Sequence, residues 1–322
     1  MGDAAEMMEA VALEELARET PTQAHRAYVS TPRILNPGGN MQPLIAQQPI
    51  VGMSLKDITS KTNKLPNRYG LHAVEGWGKT SLAAQFPKPI FIQTRGETGL
   101  ETLIDAGRLP ETPHFPEIMS WQSLREAIRL LGGGGHSHKT LVVDTLNGAQ
   151  NLCFEDVCRR QFSNDRDKFV SFGRGPAVAA EEWRAFLQEL DEVRQKQKMI
   201  IFCLVHTKVT KFKNPEGSDF DRYQPELDGS VWSLTHKWLD VVMFGNFLQM
   251  TGEDKSDKRQ KGLGGIDRML YCSRTAAWDA KNRIGLEPEY RIGNSPQEAY
   301  QQFSDAVKAG RGTAQPQDQG GN

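Results

Sequence analysis

Apolar residues fall along this chain in two alternating rhythms. Short continuous runs predict buried strands at Tyr69–Val74, Pro89–Ile92, Thr140–Asp144, Met199–Val205, Val241–Phe247, Met269–Cys272 and Ala276–Lys281. Between them, the segment Ala179–Gln197 carries Trp183, Phe186, Leu187, Leu190 and Val193 on one helical stripe. A second helix is expected from Leu146 to Phe162. Strands alternating with helices of this length predict an α/β fold, a mostly parallel sheet with helices on both faces. The charged, Gly-flanked run Thr251–Gly262 reads as the solvated loop of a late hairpin, hence a C-terminal antiparallel extension.

The pattern fades at both ends. Residues 1–65 read as an N-terminal extension, largely irregular or disordered: Met7–Ala17 suits a short acidic helix, and Thr20–Lys64 is rich in Pro, Gln, Asn and Thr. Residues 66–309 form the expected domain, and residues 310–322 a Gly/Gln-rich disordered tail.

Composition narrows the function classes. The 322 residues carry a formal charge of −1, so any nucleic-acid contact must come from local clusters. With 38% hydrophobic residues the chain can bury a substantial core. Four cysteines (Cys153, Cys158, Cys203, Cys272) lie in apolar segments without zinc-ligand spacing, which suits buried free thiols in a reducing compartment. No stretch has the roughly 20 apolar residues of a membrane span, and no signal peptide is evident. A cytoplasmic protein with no membrane partner is expected.

The chemistry concentrates in Ala73-Val-Glu75-Gly76-Trp77-Gly78-Lys79-Thr80-Ser81, which reads as a nucleotide-binding phosphate loop. Small residues let backbone N–H groups wrap phosphates, the lysine reaches the β and γ oxygens, and the hydroxyl ligates Mg²⁺. The expected nucleotide contacts run from Glu75 to Ser81, with ATP and Mg²⁺ as cofactors. Asp144 ends an apolar strand and is expected in the Mg²⁺ shell with Thr80; a helix N-cap is its alternative role. Glu97 is the candidate acid for the attacking water, with Glu101 in reserve. His206 directly follows a strand and is either a γ-phosphate sensor or a plain surface residue.

Two segments suggest nucleic acid. Lys208, Lys211 and Lys213 surround Phe212, combining phosphate-neutralising charge with a stacking surface; a charged hairpin tip is the alternative. Arg174 lies in a second basic, glycine-flexed loop, Ser171-Phe-Gly-Arg-Gly-Pro. Near the end, Lys281 and Arg283 are two apart on an expected strand, so they project to one side and could reach a neighbour's nucleotide site. The glycine-rich stretch around His136 and His138 precedes a strand and reads as a flexible turn.

This order of features resembles the RecA-like branch of phosphate-loop ATPases, and most of all small phage-encoded AAA-family ATP-binding proteins, some of which assist single-strand annealing or recombination. The resemblance spans about Asn67 to Ile292 and rests on Glu75-Gly-Trp-Gly-Lys-Thr-Ser, Phe86-Pro-Lys-Pro-Ile-Phe-Ile, Glu97-Thr-Gly-Leu, Leu141-Val-Val-Asp-Thr, Phe172-Gly-Arg-Gly, Val205-His206 and Ala280-Lys-Asn-Arg283. It implies a RecA-like core in which Lys79, Thr80 and Asp144 hold Mg·ATP, Glu97 activates water and His206 senses the γ-phosphate. It further implies that Lys281 and Arg283 act in trans within a homo-oligomeric ring or filament. Arg174 and Lys208–Lys213 would meet single-stranded DNA, with recombination or replication proteins as further partners. The expectation is an ATPase that couples ATP to assembly on single-stranded DNA. The alternatives are a nucleotide-gated assembly module without appreciable turnover and, last, a small-molecule kinase.

Overall fold

The computed structural model describes residues 54–60, 64–253 and 260–313. The chain divides into two compact units at Ser60/Lys61. The first is described only over 54–60, where a 3₁₀ turn at Leu55–Asp57 is closed by the Asp57 carboxylate accepting from the Ser54 N–H at 2.6 Å. The expected helix at Met7–Ala17 lies outside the described residues.

The second unit carries the α/β alternation. Its elements run β1 (Arg68–Ala73), α1 (Lys79–Ala83), β2 (Pro89–Gln93), α2 (Gly99–Asp105), α3 (Trp121–Gly133), β3 (Thr140–Asp144), α4 (Leu146–Gln161), α5 (Arg166–Val170) and α6 (Arg174–Gln197). There follow β4 (Ile200–Phe212), β5 (Phe220–Pro225), α7 (Gly229–Trp238), β6 (Val241–Glu253), β7 (Gln260–Tyr271), β8 (Lys281–Asn282), β9 (Glu289–Ile292) and α8 (Pro296–Thr313).

One nine-stranded sheet runs β2-β3-β4-β1-β6-β7-β9, with β5 paired to β4 and β8 to β6. The strands from β2 to β6 are mutually parallel; β5, β7, β8 and β9 pair antiparallel. In this order β4 separates the phosphate-loop strand β1 from β3, and the C-terminal strands form an antiparallel extension. Because the connections cross over, the C-terminal ends of β1, β2 and β3 and the end of the parallel half of β4 at His206 share one edge, where ligands bind in open α/β sheets.

Both faces of the sheet are covered, which explains why its strands read as continuous apolar runs rather than alternating ones. On one face α3, α4, α6 and α7 bury Trp121, Trp183, Phe186 and Leu190. Trp183 donates to the Thr235 hydroxyl at 2.8 Å, which satisfies its buried indole N–H. On the other face α1, α2 and α8 cover Tyr69, Phe86 and Phe202. Each fully buried large apolar side chain contributes about 1.5–3 kcal/mol.

Several boundaries differ from the sequence expectation. The run Met199–Val205 is only the buried half of β4, which continues to Phe212 as a hairpin with β5. The strand expected at Ala276–Lys281 is reduced to the two residues of β8. The Ser171–Pro176 loop is partly helical: a 3₁₀ turn at Ser171–Gly173, kinked where Phe172 and Gly173 adopt φ of 51° and 68°, precedes α6, which starts five residues before Ala179. The late hairpin is longer than expected, β6 reaching Glu253 and β7 starting at Gln260, while its tip (254–259) lies outside the described residues. Helix α8, not anticipated, runs through Thr313, past the expected start of the tail; 314–322 lie outside the described residues.

Candidate nucleotide site

The phosphate loop leaves β1 at Ala73 and re-enters helix at Lys79. Gly76 and Gly78 adopt φ of 72° and 105°, left-handed geometry that favours glycine and turns the backbone back over the strand. Trp77 behaves differently from its neighbours. Its side chain is 1% exposed, and its indole N–H donates to the carbonyls of Asn246 (3.1 Å) and Met269 (3.2 Å). Its backbone N–H closes the turn onto Val74. Trp77, expected among the nucleotide contacts, has its side chain anchored beneath the loop. Helix α1 is only five residues long, so anion binding there rests on the loop and the first N–H groups at Lys79, Thr80 and Ser81, which have no i−4 partner within the helix. Glu75 is exposed, while Lys79, Thr80 and Ser81 are half-buried.

Lys79 Nζ lies 3.4 Å from the Ala73 carbonyl. Burial lowers its pKa, opposed by the charges of Asp144, Glu97 and Glu75. The Thr80 hydroxyl donates to Asp144 Oδ2 at 3.0 Å. The capping alternative for Asp144 is taken by its neighbour: Thr145 is the N-cap of α4, its hydroxyl accepting from the Gly148 N–H at 3.4 Å. Asp144 is thereby left facing the loop. Burial and the nearby Glu97 raise its pKa to about 6, against the lowering effect of Thr80 and Lys79. A half-buried hydroxyl beside a buried carboxylate is a hard-oxygen donor pair suited to Mg²⁺.

Glu97 returns to the same place. Its N–H closes a turn onto the Thr94 carbonyl at 3.0 Å, so Arg95 and Gly96 bulge outward. There Arg95 pairs with Glu155 at 2.5 Å and the Gly96 N–H meets Glu117 at 2.8 Å. Glu97 Oε1 accepts from the Thr145 hydroxyl and from His206 Nε2, both at 2.9 Å. Burial would raise the pKa of Glu97, yet the His206 and Thr145 hydrogen bonds and the charge of Lys79 hold it below the ordinary value. The pKa of His206 is raised by the same Glu97 bond. Glu101, the reserve choice, is carried away on α2 and lies 3.7 Å from His114.

Three positioning residues escaped the sequence reading. The Asn147 side chain accepts from the His206 N–H at 2.8 Å and donates to the Glu226 carbonyl at 2.5 Å, tying α4 to β4 and the hairpin base. Thr94 bridges the ends of β2 and β3, its hydroxyl accepting from the Thr145 N–H at 3.1 Å. Thr145 itself serves both helix and carboxylate. The signal available in sequence was position, since each follows the C-terminal end of a strand.

The remaining candidates lie elsewhere. In β4, Lys208 shares a strand face with half-buried Phe212, and Lys211 projects to the other, exposed one. Phe212 already packs on Phe220 at 5.1 Å, with the Arg222 guanidinium 5.6 Å from its ring centre. Arg174 is exposed at the start of α6, two residues from Phe172, which is 99% exposed. Lys281 Nζ donates to three carbonyls at the end of α7: His236 (2.5 Å), Leu239 (2.6 Å) and Lys237 (3.2 Å). Burial lowers its pKa to about 8. The ammonium is thus engaged within its own chain, whereas Arg283 is exposed.

No curated protein matches the chain. Among solved structures, the crystal structure of the RadB recombinase is similar at 12% identity and a TM-score of 0.41, covering 73% of this chain and 90% of that one. A family model described as an AAA domain matches residues 65–284, more than half of the chain and everything from β1 to Arg283. The chain belongs to this AAA-domain family.

Proposed function

We propose that this ATPase binds Mg·ATP, hydrolyses it slowly, and couples the nucleotide state to homo-oligomerisation on single-stranded DNA in phage-type recombination or replication. The observation that carries the reading is the convergence of Lys79, Thr80, Asp144, Glu97 and His206, contributed from β1, β2, β3 and β4, around one phosphate loop. In this reading Lys79 meets the β and γ oxygens, and Thr80 and Asp144 hold the metal. Mg²⁺, when bound, neutralises charge on the phosphates. Glu97, ionised and fixed through Oε1, orients and deprotonates the attacking water. His206 lies where it can register that chemistry. Its backbone is tied to the base of the β4–β5 hairpin, since the Glu226 N–H donates to the His206 carbonyl at 2.8 Å. That supports coupling between nucleotide and the lysines of the hairpin, which we assign to DNA together with Arg174. Arg283 is the cation proposed to reach a neighbour's site.

The hydrogen bonds that hold Glu97 also favour a second reading, in which the acid is kept from water and the chain is a nucleotide-gated assembly module. Turnover of ATP with and without single-stranded DNA separates the two. Stimulation by DNA that is lost in Lys79→Ala supports the first, and binding and assembly without turnover supports the second.

A further inference from the structure

Across β1 from the acids, the phosphate loop borders a cavity of about 320 Å³, near the lower end of ligand-pocket sizes of about 300–1,000 Å³. Gly78 and Ser81 form one wall and Leu103 of α2 another; Arg268, Ile292 and Asn294 come from the C-terminal extension. Resting on the nucleotide-site reading above, we propose that this cavity receives the nucleoside end of the bound nucleotide and that Arg268 is the residue that reads it.

Sheet order gives the polarity. Glu97 follows β2, Asp144 ends β3 and His206 lies in β4 where its parallel pairing with β1 ends, all on one flank of β1, whereas the extension lies beyond β6 on the other. A nucleotide whose terminal phosphate meets the acids therefore extends its sugar and base toward β7, β9 and α8. Arg268 is prepared for a ligand. One of its terminal nitrogens donates to the Asn294 carbonyl, which fixes the guanidinium. Its Nε is buried and has no hydrogen-bond partner among the described residues, and it lies 4.0 Å from where a Cβ on Gly78 would sit. Buried donors are ordinarily satisfied, so an unpaired one beside the phosphate loop fits an acceptor brought by the ligand. The surrounding apolar side chains suit the faces of a base. The position of α8 is fixed independently of the cavity, Phe303 and Tyr300 packing on Phe86 at 5.7 and 5.1 Å.

The test compares Mg·ATP with inorganic tripolyphosphate by titration calorimetry on the full chain. Arg268→Ala and Arg268→Gln should each weaken ATP about tenfold or more and leave tripolyphosphate unchanged, while Lys79→Ala should weaken both. Equal loss of both ligands in the Arg268 variants, or no loss of either, overturns the inference. Retention of ATP by Lys79→Ala would instead overturn the nucleotide-site reading. Photolabelling of the wild type with 8-azido-ATP reads the pocket without any variant: label in peptides holding Leu103 or Ile292–Asn294 is expected, and label confined to other segments refutes the proposal.

Discussion

His206 Nε2 sits 2.9 Å from Glu97 Oε1, joining the middle of β4, where its parallel pairing with β1 ends, to the turn after β2 across the top of β3. The bond holds Glu97 ionised and favours a protonated His206. Removing only the basic oxygen should therefore spare binding and remove chemistry. Glu97→Gln is expected to bind Mg·ATP as the wild type does and to hydrolyse it on the order of 10² slower or worse. Normal turnover in this variant, with Glu101→Gln inactive, would transfer the role to Glu101.

Lys79→Ala should abolish ATP binding without unfolding the chain, because the side chain fills a ligand loop rather than a core cavity. Asp144→Asn should bind nucleotide with a weakened dependence on Mg²⁺. Both are read by titration at varied Mg²⁺, and unchanged ATP affinity in the lysine variant would sink the phosphate-loop assignment.

Lys281 and Arg283 should separate. Lys281→Met leaves three carbonyls at the end of α7 without their cationic donor and should destabilise the fold by about 1–2 kcal/mol in urea titration. Arg283→Ala should leave stability unchanged and impair turnover. Mixed with inactive Lys79→Ala, it should recover part of the rate if Arg283 serves a neighbour; no recovery in proven mixed oligomers would argue against that role.

Neutralising Lys208, Lys211 and Lys213 together should remove most affinity for single-stranded DNA. It should also flatten the log–log salt slope by roughly 0.7 per lost phosphate contact. Phe212→Ala should do less than an exposed stacking residue would, since Phe220 and Arg222 already occupy its surroundings. Wild-type affinity and slope in the triple variant would refute the DNA assignment.

His72 gives a pH prediction. It is buried in β1 and stacked on Phe244 at 4.9 Å; its Nε2 donates to the Asp279 carbonyl at 2.8 Å, and Nδ1 lies 3.1 Å from the Thr207 hydroxyl. Burial lowers its pKa from 6.5 to about 4. The unfolded chain then binds the extra proton first, so this stabilisation is present above about pH 6.5 and lost as pH falls toward 4. About 3 kcal/mol is at stake. Asp144, raised to about 6, acts with the opposite sign. The measurement is therefore the difference in unfolding free energy between wild type and His72→Gln, which should shrink by about that amount from pH 7 to pH 4.

What could be read from sequence was what short-range pattern encodes. The loop Gly76–Thr80 and the strand Thr140–Asp144 stand where their residues say they should, because glycine geometry and a fully buried parallel strand leave little choice. Helix α8 has sequence signals of its own: Ser295 and Glu298 exchange hydrogen bonds as a capping box, Pro296 opens the first turn, and Ala299, Phe303 and Ala306 make the stripe. The fates of Trp77 and Lys281 were not legible, since both depend on carbonyls supplied by segments remote in sequence. Propensity gives no view of such partners.

Trp77 is held by a carbonyl 169 residues away along the chain, and the space for its ring exists because position 245 has no side chain. A Cβ at Gly245 would come within 2.6 Å of the indole. The phosphate loop is therefore inherited in two pieces, one of which bears no resemblance to a nucleotide motif. Selection for second-site revertants of a damaged loop should return changes on β6 and β7, and a graft of residues 73–81 into another strand–loop–helix would arrive without its floor.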